Sequence, residues 1–145
     1  MSLFSFFNKG STEYQAVLAE IRLISQELKN HSYGCINVAD EVTKLAIQQL
    51  EPYKEKGSDI LKISDNRPQT FAYYCFVIAL EHELTCGKFV IGVGLYPTGK
   101  LSMLGDAYMA CYSTLLRKMV NLNIYTEEIS HNRYQYVRDR IKSQC

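Results

Sequence analysis

The chain of 145 residues carries 16 basic and 15 acidic side chains, for a net charge of +1. That balance argues against a partner chosen by bulk electrostatics, whether nucleic acid or an anionic membrane surface. Hydrophobic residues make up 47% and charged residues 21%, the proportions of a soluble globular protein, and the length suits a single domain over residues 1–145. A chain of this size buries roughly 70% of its unfolded surface, so its core needs no staple.

Residues 1–10, MSLFSFFNKG, read as an apolar arm without the basic region or small-residue cleavage site of a signal peptide. Residues 11–31 read as a helix. Ser11 or Thr12 caps it, and Tyr14, Val17, Leu18, Ile21, Ile24 and Leu28 recur at the helical period. Gly34 suits a left-handed residue beyond its end. A second helix is expected from about Asn37 to about Tyr53, with Val38, Val42, Leu45, Ala46 and Gln49 on one face and Pro52 stopping or kinking it. Residues 52–68 read as a polar loop, in which DILKIS (59–64) offers one short strand.

A third helix begins at Pro68, with Asp65 or Asn66 as its cap, and runs to about residue 86. Its stretch TFAYYCFVIALEHEL is apolar nearly all round until Glu81, which assigns it to the centre of the fold. KFVIGVGLYPTGKLSML then changes character. Its β-branched residues, glycines and YPTG turn predict a hairpin, roughly 88–94 paired with 100–104. Asp106 starts or caps a fourth helix to about Asn121, with Tyr108, Cys111, Tyr112, Leu115, Leu116 and Met119 on its face. Thr126 with Glu127 and Glu128 opens a fifth, which carries Ile129, Tyr134, Val137 and Ile141. The expected fold is mainly α: about five helices packed around an apolar central helix (about 68–86), with one short β-hairpin (about 88–104). No apolar run approaches the length of a membrane span.

The motifs that bear on chemistry are incomplete. Gly94, Gly99 and Lys100 match G-x-x-x-x-G-K, but Leu101 stands where a phosphate-binding loop places Ser or Thr for Mg²⁺. No Asp-terminated second strand accompanies it, and the same glycines suit a turn. On the third helix Cys75, His82 and Cys86 return to within about 20° of one face. His82 and Cys86, at i and i+4, could share a metal, with Cys111 or His131 needed to complete the site. Small soft cysteines and one hydrogen-bonded histidine on a packing face explain the same pattern. Glu81 and Glu83 diverge from His82 and read as a solvated patch, so no nucleophile–base–orienter set assembles.

Five cysteines, Cys35, Cys75, Cys86, Cys111 and Cys145, form no C-x-x-C pair and read as reduced thiols of a cytoplasmic protein. Residues 116–145 hold six basic and three acidic side chains, against ten and twelve in residues 1–115. Basic residues interleaved with tyrosines at that end resemble a nucleic-acid face, but cations at a helix C-terminus on a solvated side account for them better.

The sequence supports, first, a non-enzymatic protein-binding module, such as a bacterial inhibitor, immunity or accessory protein, or a self-associating chain. Its expected contact residues are Phe4, Phe6 and Phe7 of the arm and Arg133, Tyr136 and Arg140 of the last helix. The 11 tyrosines are consistent with that reading, since Tyr serves interfaces well. A small-molecule binder with a cavity lined by Tyr73, Tyr74, Tyr108 and Tyr112 comes second. An enzyme handling phosphate through Gly94, Gly99 and Lys100 comes third. No cofactor is expected.

Overall fold

The computed structural model describes residues 10–30, 38–86 and 103–143. Six helices are present in these segments: α1 (Thr12–Lys29), α2 (Val38–Leu50), α3 (Gly57–Ser64), α4 (Pro68–Thr85), α5 (Met103–Asn121) and α6 (Glu127–Lys142). One 3₁₀ turn, Glu51–Tyr53, follows α2. The described residues contain no strand.

The organising element is α4, which packs against all five other helices. It buries residues around most of its circumference, from Phe71, Ala72 and Tyr73 through Cys75, Phe76 and Val77 to Leu80 and Leu84. A helix with so little polar surface is stable only if surrounded, and the others supply the surround with one stripe each. From α1 come Val17, Ile21, Ile24 and Leu28; from α2 Val38, Val42, Ala46 and Leu50. From α5 come Tyr108, Cys111, Tyr112, Leu115, Leu116 and Met119, and from α6 only Val137 and Ile141.

Local caps start two helices where the sequence places them. Ser11 Oγ accepts the Tyr14 N–H at 3.1 Å, and Thr126 Oγ1 accepts the Ile129 N–H at 3.2 Å. The 3₁₀ turn explains how α2 stops: Pro52 has no N–H to continue the α ladder, and the chain tightens for three residues.

Two expectations are corrected. DILKIS is not a strand but most of α3. Ile60 and Ser64 are its buried pair at i and i+4, and the Ser64 hydroxyl donates to the Ile60 carbonyl at 2.6 Å. Asp65 and Asn66 do not cap α4. They adopt left-handed backbone, φ 53° and 62°, and the Asn66 N–H bonds the Leu61 carbonyl at 2.9 Å to end α3. Arg67 precedes α4 without a side-chain cap, and Pro68 presets its first turn. The hairpin expected at 88–104 lies mostly outside the described residues. Met103 and Leu104, expected in its second strand, begin α5. Both are strong helix formers. None of the described helices is long and apolar enough to cross a membrane.

Candidate functional site

Glu81 lies on α4 one turn before its end, facing α5 and α6. Its Oε2 accepts the Tyr112 hydroxyl at 2.6 Å and Arg133 Nε–H at 2.8 Å, and its Oε1 accepts Arg133 Nη2–H at 2.5 Å. The Arg–carboxylate pair is therefore bidentate, the geometry in which a guanidinium binds most strongly. The Glu81 side chain is 18% exposed and that of Arg133 35%. The Arg133 guanidinium also lies 5.3 Å from the centre of the Tyr125 ring, a cation–π contact. Tyr125 packs on Tyr74 of α4 at 6.1 Å, and Tyr112 stacks on Tyr134 of α6 at 6.3 Å. One carboxylate thus joins α4, α5, the α5–α6 connection and α6.

The proton affinities follow from this geometry. Burial, then the hydrogen bond to Glu81, pushes the Tyr112 phenol far above its usual value. Burial raises Tyr125 as well, against the opposing charge of Arg133. Burial alone would lower Arg133, but its pairing with Glu81 outweighs that and raises it. Elsewhere in the core, burial pushes Tyr73 up to about 12, helped by Glu27 and Glu20 of α1, and Cys75 up to about 12.

These raised values fix the sign of an alkaline prediction. Each group holds its proton more tightly folded than unfolded, so its contribution is complete below its ordinary value. It is lost as pH rises beyond that value. We expect the melting temperature to fall from about pH 9, where an unfolded thiol begins to ionise, and more steeply above about 10, where unfolded phenols do. Tyrosinate absorbance should rise cooperatively with unfolding. A smooth titration of all phenols in the folded state would contradict this.

The expected site residues are dispersed. Phe4, Phe6, Phe7, Gly94, Gly99 and Lys100 lie outside the described residues. Arg133, expected on the outer face of the last helix, is turned inward to Glu81, while Tyr136 and Arg140 are exposed. His82 is exposed, and the Cys86 thiol donates to the Glu83 carbonyl at 3.7 Å. Cys111 is buried and His131 is exposed. No group of three or more His, Cys, Asp or Glu side chains that could hold a metal occurs among the described residues. Of the four tyrosines of the expected cavity, Tyr108 is buried on α5. Tyr73 is buried beside carboxylates of α1 and Tyr112 is buried against Glu81, whereas Tyr74 borders a small hollow with Tyr53 and Phe71.

Two features escaped sequence reasoning. Glu81 was expected in a solvated patch, yet it is the hub of the network. A partial signal existed: Glu81 is the first carboxylate after the apolar run of α4, and a carboxylate drawn into a buried face must be paired or it costs several kcal/mol. The second is an open cleft of about 480 Å³ between α5 and α6, lined by Leu116, Arg117, Val120, Ser130, His131 and Tyr134 among others. It arises from the crossing of two helices and has no motif. No protein-family model, curated protein or solved structure matches this chain.

Proposed function

We propose that the protein is a small non-enzymatic protein-binding module that engages its partner through the outer face of α6. The observation that carries this reading is one stripe of that helix. Ile129 is 43% exposed and Tyr136 60%, and with Arg140 they fall within about 20° of one line along the helix. An exposed aliphatic, a tyrosine and an arginine in line have the composition of an interaction hot spot. The adjoining side of α6 is held by Val137 and Ile141 in the core and by Arg133 on Glu81, so the stripe is presented on an anchored helix. An inhibitor, immunity or accessory role fits a surface of this kind; a cytoplasmic setting fits the free thiols.

The test is native mass spectrometry of the protein gently purified from its own host, beside the Ile129→Ser/Tyr136→Ala variant. Wild type should carry one added polypeptide at fixed stoichiometry. The variant should lose it, with affinity reduced about 30-fold or more, as for a hot-spot residue of about 2 kcal/mol. Its melting temperature should stay unchanged, because both side chains are exposed. Retention of the partner by the variant, or a bare wild-type mass, would count against this surface.

A further inference from the structure

A second apolar surface lies where α3 meets α4. Ile63 is 50% exposed and Ile78 42%. Between them is a hollow of about 60 Å³ lined by Gln49, Tyr53, Phe71, Tyr74 and Cys75. A neighbouring hollow of about 360 Å³ shares Tyr53 and Ile63 and is walled by Pro52, Lys56, Asp59 and Lys62. The two make one trough, apolar at its floor and edged by lysine stems. Aromatic rings suit it, since lysine ammoniums favour the faces of rings that their stems also cover.

The place at which the chain enters the described fold selects the occupant. The Ser11 N–H bonds the Lys54 carbonyl at 2.8 Å, and Gly10 has φ +68°. A Cβ on Gly10 would lie 2.8 Å from Lys54 Cγ and 2.7 Å from the Tyr14 ring, so the backbone runs directly over Lys54. The adjacent residue, Tyr53, lines both hollows. The preceding chain carries Phe7 three residues before Gly10, then Phe6, and Phe4 six before. At about 3.3–3.6 Å per residue those rings can reach roughly 10–20 Å from Gly10. A segment tethered this closely acts at an effective concentration of about millimolar, which favours it over a more dilute free segment of equal affinity.

We propose that Leu3–Phe7 docks in cis into the trough between α3 and α4, setting its phenylalanines against Ile63, Tyr53 and Ile78. This assigns the arm to the protein's own surface and leaves α6 as the partner face; it stands independently of the α6 reading.

The experiment is methyl NMR of the full chain with labelled isoleucines, comparing wild type with the Phe4→Ser/Phe6→Ser/Phe7→Ser variant. Wild type should show nuclear Overhauser contacts between phenylalanine rings and the Ile63 and Ile78 methyls, unchanged on dilution. In the variant those contacts and their ring-current shifts should vanish while the Ile129 methyl stays fixed. An Ile63→Ser variant should release the same contacts without touching the arm. Absence of the contacts in wild type would overturn the proposal. Contacts that fade on dilution would overturn it in favour of a second copy in the trough.

Discussion

Phe76→Ala is expected to destabilise the fold by about 3–5 kcal/mol. Phe76 is 0% exposed and lies midway along α4, the helix that each of the other five described helices touches. Truncation removes an aromatic payload and leaves a cavity that no single neighbour can close. Collapse from one side would pull that helix off α4's other partners. Against a typical total of about 5–15 kcal/mol, the loss is a large fraction. Chemical denaturation should show a lower midpoint with an unchanged slope, and the melting temperature should drop by roughly 10–15 °C. Phe76→Leu should recover much of the loss, because it retains most of the volume. A loss under about 1 kcal/mol for Phe76→Ala would mean that α4 is not the centre of the packing.

The second large effect concerns Glu81 and Arg133. Arg133→Met removes the bidentate partner and leaves the mostly buried Glu81 carboxylate with the Tyr112 hydroxyl. Breaking a fully buried pair costs about 3–5 kcal/mol. Arg133 is about one-third exposed, so solvent screens part of this and roughly 1–3 kcal/mol is expected. Glu81→Gln should lose less, because its amide oxygen still accepts a hydrogen bond. The double variant should lose less than the sum of the singles, since neither half is then stranded. Strict additivity in this cycle would show that the two groups do not act as a pair. The effect should also be local: among the described residues α6 packs chiefly against α5 and α4, and it buries Val137 and Ile141, so Arg133→Met should loosen α6 before the rest. Hydrogen exchange should show faster opening of α6 while α1 and α2 keep their protection.

Much of this architecture is written in local patterns. The stripes at helical spacing in α1 and α5 are largely the faces that are buried, whereas in α6 only Val137 and Ile141 of the expected residues are buried and Ile129 is exposed. The nearly all-round apolarity of α4 up to Glu81 places it in the middle, because no other position satisfies such a helix. Ser11 and Thr126 mark helix starts by chemistry that acts within three residues. Other features are not local. The segment 57–64 is too short and too mixed for its period to be read, and it is helical because Ile60 and Ser64 together face the bundle. That assignment in turn diverts Asp65 and Asn66 from capping α4 to ending α3.

Composition and periodicity by themselves determined a mainly helical chain, its central helix and most of the buried faces of α1 and α5. Those properties follow from one helix at a time meeting apolar surroundings. The pairing of Glu81 with Arg133, 52 residues away, and with Tyr112, 31 away, was decided only by the tertiary structure. So were the cleft between α5 and α6 and the trough beside Tyr53. Each depends on how two helices cross, and a crossing is set by the whole packed core rather than by any window of sequence.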